Sequence, residues 1–160
     1  DNIHNSNGTI FNNTLIKKLG EIFRDFINAG KRVEVNSKEV YALDPMMRDK
    51  GGVELLNISK DFPYVDSHDE KKMSSIKLRI FLLPELSKSE SDLEPIKINQ
   101  THQGFYIMRN NRQIAGGQNL EIFTKHNYNN RFRAEIYFSS HLDKAMGVNF
   151  KKENIKIMYL

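Results

Sequence analysis

The chain has 160 residues, of which 39% are hydrophobic and 28% are charged, and its formal net charge is +4. This length is typical of one domain with its own core, and the lack of cysteine excludes disulfides, thiolate catalysis and cysteine-based zinc sites. Because the chain starts with a polar stretch without methionine, we expect residues 1–160 to be a single domain excised from a longer protein. No apolar run approaches the roughly 20 residues that span a bilayer, so we expect a cytoplasmic protein without a membrane partner.

The first predicted element is an amphipathic helix over residues 13–30. Its apolar residues recur at steps of three and four and are Leu15, Ile16, Leu19, Ile22, Phe23, Phe26 and Ile27. The opposite, polar face holds Lys17, Lys18, Glu21, Arg24 and Asp25. Asn13 is the expected N-cap, Gly30 fits the left-handed position that ends helices, and Gly20 predicts a close approach to a neighbouring strand.

Strands are predicted for most of the remaining chain. Residues 31–35 and 38–43 flank the turn at Asn36-Ser37 and predict a hairpin. Residues 53–58 and 76–83 predict two further strands, with a polar bulge over residues 61–75 between them. Residues 84–103 combine serine, proline and charge, which is typical of a long surface loop.

A second hairpin is predicted over residues 104–117, with its turn at Asn110-Asn111. Residues 131–138 alternate strictly, which predicts a strand with one face on the core. The core face would hold Phe132, Ala134, Ile136 and Phe138, and the solvent face would hold Arg131, Arg133, Glu135 and Tyr137. With a short helical turn over residues 139–147 and a last strand over 154–160, the chain is predicted to be α+β with mostly antiparallel strands.

Motifs for catalysis are scarce. The phosphate loop, the dinucleotide fingerprint and the nucleophile elbow of hydrolases have no counterpart in the sequence. The acidic residues from Asp66 to Glu70 lack the glycine and spacing of a calcium loop, so we interpret them as a solvated loop and expect no metal site. The residues themselves therefore disclose no enzyme.

One stretch of the chain is distinctly basic. Between residues 109 and 133 the cations outnumber the single acid, Glu121. We expect Arg109, Arg112, Arg131 and Arg133 to form either an ordinary solvated face or a surface for an anionic partner. On the second interpretation the chain is a stand-alone module that binds nucleic acid or protein.

Three segments of the chain resemble one family of ATPases. Residues 19–47 resemble its helix "L-x-x-I-F-R-x-F-I", followed by "V-N-G-x-x-V" and "D-P", with Ser37 in place of the glycine. Residues 104–117 resemble its hairpin "G-x-Y-I-x-R-N-x-R-L-I", and residues 132–155 its continuation "R-x-E-I-x-F-x-x-x-L-D-x-x-F-G-V-N-x-x-K-Q". These motifs are similar to those of the bacterial GHKL ATPases, the superfamily of gyrase, heat-shock chaperones, histidine kinases and MutL, near its MORC-like branch.

The resemblance implies a transducer domain of the ribosomal-protein-S-five type, a sheet backed by helices, with residues 8–11 as its first strand. Such a domain couples ATP binding and hydrolysis in a preceding domain to conformational change. The ATP-binding motifs have no counterpart here, so ATP and magnesium are implied only for a full-length protein, and the chain alone would be no enzyme. The implied partner is the chain's own N-terminal ATP-binding domain; a homodimer and a nucleic-acid or protein client stay open.

The resemblance also implies a residue that contacts ATP. The family's transducer sends a lysine to the γ-phosphate, and its motif "V-N-x-x-K-Q" matches residues 148–153. The match assigns this phosphate-sensing role to Lys152, with Asn149 beside it as a nucleotide-binding residue. Lys151 is the alternative, and Glu153 departs from the motif's glutamine.

Overall fold

The computed structural model of the chain describes residues 3–68 and 70–147. Its helices are α1 (Ile3–Ile22), α2 (Arg24–Asn28) and α3 (Lys88–Leu93), and short 3-10 turns lie at Arg48–Lys50, Asn127–Asn129 and Ser140–Leu142. Its strands are β1 (Glu34–Val35), β2 (Lys38–Glu39), β3 (Val53–Val65), β4 (Lys71–Leu82), β5 (Gly104–Arg109), β6 (Arg112–Gln118) and β7 (Phe132–Phe138). None of these helices is both long enough and apolar enough to cross a membrane.

The main sheet has five strands in the order β3-β4-β7-β5-β6, and β1 and β2 form a separate small hairpin. All neighbours are antiparallel except β5 and β7, which run parallel with Gly104 opposite Arg133 and Arg109 opposite Phe138. The predicted α+β class with mostly antiparallel strands is therefore confirmed.

The N-terminal helix is longer than predicted. Helix α1 already includes residues 8–11, so the implied first strand there is wrong, and Asn13 lies inside the helix rather than at its N-cap. The reason is that residues 8–11 are solvent-exposed, so the periodic apolar pattern from which the helix was predicted begins only at Leu15.

The end of the second helix agrees with the prediction, and the close approach at Gly20 is present, although to the segment after β2 rather than to a strand. Gly30 has a φ of 85°, and the N–H groups of Gly30 and Lys31 donate to the carbonyls of Ile27 and Phe26 at 2.9 Å, which is a Schellman motif. A Cβ on Gly20 would lie 2.4 Å from the carbonyl oxygen of Tyr41, just after β2. Only glycine therefore lets α1 approach this segment so closely.

Both short hairpins have the predicted turns. Asn36 and Ser37 have φ angles of 49° and 63°, and Asn110 and Asn111 have φ angles of 48° and 61°. Two successive residues with positive φ make a type I′ turn, whose twist matches that of the flanking strands.

The predicted polar bulge over residues 61–75 is wrong, because β3 and β4 continue through it as one long hairpin. One face of its outer half is partly buried, since Phe62 and Tyr64 pack against the core, and the other face is exposed. The polar residues of this segment therefore belong to a solvated part of the ribbon and not to a break in the strands. The Asp66 carboxylate closes the turn by accepting the backbone N–H groups of His68 and Glu70 at 2.8 and 3.0 Å. The surface loop over residues 84–103 includes α3, whose capping box joins Ser87 and Glu90.

The core lies on one face of the central strands. Its buried members are Phe105, Ile107, Ala134, Ile136, Phe138, Leu142 and Met146. Leu142 and Met146 come from the chain after β7, so residues 139–147 cover this face.

The opposite face of β7 was predicted to meet solvent, and for Arg133 and Glu135 that prediction is wrong, since both are 0% exposed. Arg24, placed by the sequence on the polar face of its helix, is also 0% exposed and contacts Glu135. Both faces of this central strand are therefore covered.

Candidate functional site

A buried glutamate on the central strand is the centre of a charged cluster. The Glu135 carboxylate accepts hydrogen bonds from Arg24 Nη2 at 2.9 Å, from Arg48 Nη2 and from Arg79 Nη1 at 3.5 Å. These cations come from α2, from the 3-10 turn before β3 and from β4, and we call the four residues the Glu135 cluster. A charge this deeply buried is tolerated only when it is paired, and here three cations pair with it.

Arg24 joins the helix to the sheet. The break at Phe23 (φ −105°, ψ 17°) ends α1, and Arg24 begins α2. Its guanidinium donates to the carbonyl of Glu21 at 2.9 Å, to Met108 Sδ on β5 at 2.9 Å and to the side-chain oxygen of Gln113 on β6. One side chain thus contacts three strands, although its Nε has no partner within the described part of the chain.

Arg48 and Arg79 both lie over the ring of Phe81, with guanidinium carbons 4.6 and 5.0 Å from its centroid. Arg48 also pairs with Asp44 at 2.7 Å, and Arg79 pairs with both carboxylate oxygens of Glu54 at 2.8 and 3.1 Å. The hydrogen bond from Arg79 holds the pKa of Glu54 below its usual value. With these two acids, three cations face three anions, so the cluster and its immediate partners are electrically balanced.

Arg133 lies on the same face of β7 but apart from this cluster. Its guanidinium donates to the carbonyl of Lys97 at 2.9 Å and to the Tyr106 hydroxyl at 3.3 Å, and it forms no ion pair with any described carboxylate. Burial lowers the pKa of Arg133 and raises the pKa of Tyr106 to about 12. The Tyr106 hydroxyl in turn donates to the carbonyl of His102 at 2.9 Å.

The four arginines of the predicted basic surface do not form one surface. Arg109 makes two 2.7 Å hydrogen bonds to Asp143, Arg112 lies over the Phe23 ring, and Arg131 pairs with Glu85. Along the parallel pair β5 and β7, five residues separate Arg109 from the position opposite Arg133, or about 16 Å at about 3.3 Å per residue. One pair of arginines thus lies at each end of the sheet.

Lys152, Lys151 and Asn149, the residues implied to contact the nucleotide, lie outside the described residues, as does the predicted last strand over 154–160. The described part of the chain ends at Gly147, two residues before Asn149 in the sequence. It runs from β7 through the turn at Ser140–Leu142 to Gly147, whose φ is 62°.

The Glu135 cluster is suited to positioning rather than to catalysis. Its carboxylate already pairs with three cations and is inaccessible to solvent, so a metal ion or a substrate could reach it only by displacing the residues that cover it. The described residues also contain no group of three or more His, Asp or Glu side chains that could hold a metal ion. What this arrangement can do is fasten α1 and α2 to the sheet in one orientation.

Comparisons with protein-family models, with curated proteins and with solved structures found no match.

Proposed function

We propose that the chain is the transducer domain of a bacterial GHKL-type ATPase, with a fold of the ribosomal-protein-S-five type. It couples ATP binding and hydrolysis in a preceding domain to conformational change. The observation that carries this proposal is where the three resembling segments meet. Residues 19–47 supply Arg24, residues 104–117 supply Met108 and Gln113, and residues 132–155 supply Glu135, and these side chains form one buried set of contacts.

The order of the elements supports a coupling role. Lys152 is five residues beyond Gly147, and the chain between Gly147 and Glu135 is β7 followed by the helical turn packed on the core. When Lys152 binds the γ-phosphate, a displacement of the segment that carries Lys152 also displaces β7. The ion pair between Glu135 and Arg24 then transmits this displacement from β7 to α2 and α1.

A charged clamp suits this task. Separating a buried ion pair leaves an uncompensated charge and costs about 3–5 kcal/mol, so helix and sheet move together rather than slide. Packed elements of this kind change between discrete arrangements and not by continuous deformation. The helix and the central strand therefore move as one rigid unit. This unit transmits the state of the nucleotide to the part of the full-length protein that changes conformation.

The proposal assigns ATP and magnesium to the preceding N-terminal domain, which is the first partner of this chain, and leaves the chain alone without ATPase activity. A lysine suits the contact with the terminal phosphate because its ammonium is a compact charge on a flexible stem. Dimer closure on ATP binding, and remodelling of a nucleic-acid or protein client, are the outputs that such a coupling would drive.

The test is ATP turnover by the protein that includes the preceding domain. Lys152→Ala should lower turnover on the order of 10² to 10³, the cost of removing one donor from a preorganised anion site, and should leave ADP affinity nearly unchanged. ADP lacks the phosphate that the lysine contacts. Lys151→Ala is the matched control and should be nearly silent.

Three results would revise or overturn the proposal. Loss of turnover in the Lys151 variant alone would move the role by one residue. Normal turnover in both variants would remove phosphate sensing from this segment, and a preceding region without an ATP-binding domain would overturn the whole assignment.

A further inference from the structure

A polar cavity that is open to solvent lies beside the Glu135 cluster, between α2, β4, β7 and the turn that joins β5 to β6. Its volume is about 430 Å³, and its lining residues are Asp25, Lys77, Arg79, Asn111 and Tyr137. This volume falls within the range of small-molecule sites, about 300–1,000 Å³. Such sites are usually lined mostly by apolar side chains, whereas every residue of this lining carries a polar or charged group, which favours a polar ligand.

Four of the lining side chains have unused hydrogen-bonding groups. Within residues 3–68 and 70–147, the side chains of Asp25, Lys77, Asn111 and Tyr137 make no hydrogen bond or ion pair, whereas Arg79 is paired with Glu54 and Glu135. Asp25, Lys77 and Tyr137 are partly buried, whereas Asn111 is exposed. Polar groups that are withdrawn from solvent normally find partners, so three unpaired ones around a single cavity call for an explanation. A bound polar molecule would supply partners to all four.

The scaffold fixes the backbone positions of these four residues. Lys77 and Tyr137 are directly opposite each other in the antiparallel pair of β4 and β7, and Asn111 is the second residue of a type I′ turn. Asp25 lies in the first turn of α2, which Arg24 fastens to the sheet. The backbone positions that carry the four side chains are therefore fixed before a ligand binds, which reduces the backbone part of the entropy lost on binding.

The charges indicate the kind of ligand. Lys77 supplies an unpaired cation, and Asn111 supplies an amide donor. Burial raises the pKa of the Tyr137 hydroxyl, so this group stays protonated and donates near neutral pH. Asp25 is the one anion in the lining, and it repels a plain anion but accepts a hydrogen bond from a hydroxyl or ammonium group.

We propose that this cavity binds a small organic acid that carries both an anionic group and a hydroxyl or amino group. The anionic group, a carboxylate or a phosphate ester, pairs with Lys77 and accepts from Tyr137 and Asn111, while the donor group binds Asp25. This site goes beyond the transducer proposal and does not depend on it, since it uses only residues of the described chain.

The experiment is an NMR titration of the backbone amide signals of the 160-residue chain. The probes are L-malate and glycerol 3-phosphate, which pair an anion with a hydroxyl, and inorganic phosphate as an anion without a carbon-borne donor. A small site that is accessible to water binds its ligand weakly. We therefore expect saturable binding of the preferred probe with a dissociation constant on the order of 1 mM. The signals of residues 25, 77, 111 and 137 should move for malate or glycerol 3-phosphate, and whichever binds more tightly identifies the anionic group.

Two variants and a control test the assignment. Lys77→Ala should weaken binding of the preferred probe about tenfold or more, as expected for a charge-assisted contact, and Asp25→Asn should abolish its preference over inorganic phosphate. Lys60→Ala removes a lysine charge from the same hairpin, but on the other face of the sheet. This variant should bind the preferred probe as tightly as the unchanged chain does. Unsaturated shifts spread over the surface, or equal weakening in the Lys60 variant, would overturn the site. Tighter binding of inorganic phosphate than of both organic acids would overturn the role of Asp25.

Discussion

Replacing Glu135 by leucine tests whether the charged cluster holds the helix to the sheet. The substitution deletes the one carboxylate shared by Arg24, Arg48 and Arg79. We expect a large loss of stability, because Arg24 is 0% exposed and forms no ion pair with any other carboxylate of the described chain.

The magnitude follows from which cations lose their partner. Arg48 keeps Asp44 and Arg79 keeps Glu54, and both guanidinium groups are partly exposed, so their share of the loss is small. Arg24 is left as an unpaired buried charge, which costs about 3–5 kcal/mol in the free energy of unfolding. For a domain of this size that loss lowers Tm by about 6–20 °C.

The assay is a double-mutant cycle measured by urea unfolding, with Glu135→Leu, Arg24→Met and the variant that carries both. The double variant should be more stable than Glu135→Leu alone, because it no longer buries an unpaired guanidinium. Arg109→Ala is the control, since its ion pair with Asp143 is one-third exposed on both sides and such pairs contribute about 0–1 kcal/mol. A decrease below about 1 kcal/mol in the free energy of unfolding of Glu135→Leu would show that the Glu135 cluster does not hold the helix to the sheet. Strict additivity of the two substitutions would show the same.

Three further predictions follow from the buried tyrosine, the missing nucleotide motifs and the separated arginines. Because burial raises the pKa of Tyr106 from 10.0 to about 12, the folded state holds this proton more tightly than the unfolded state does. The contribution of this group to the free energy of unfolding is fully present below about pH 10 and is lost as the pH rises from about 10 to about 12. Urea unfolding across this pH range should show the loss. The Tyr106→Phe variant should lack the part of the loss that is due to Tyr106. Calorimetry of the chain with magnesium and ATP should show no saturable heat, and a dissociation constant in the low micromolar range would contradict the absence of a nucleotide site. Binding to DNA should be weak or absent at about 150 mM salt, where exposed charges are screened beyond about 8 Å; salt-resistant, sequence-dependent binding would instead favour a stand-alone module.

Several local features of the fold could be predicted from the sequence because their causes are local. The turns at Asn36-Ser37 and Asn110-Asn111 follow from the tolerance of asparagine for positive φ between alternating strands. Gly30 ends its helix for a similar reason, and the strict alternation of residues 131–138 places β7 correctly. In each case the information lies within a few neighbouring residues.

The tertiary structure alone decided which faces are buried. Alternation showed that Glu135 and Ala134 point to opposite sides of β7, but both sides of this strand are covered. The partners that make burial of Glu135 tolerable come from distant parts of the chain, and Arg24 lies 111 residues away. A charged residue is therefore predicted to face solvent unless the fold brings a counter-charge to it, and no local pattern in a sequence records where that counter-charge will come from.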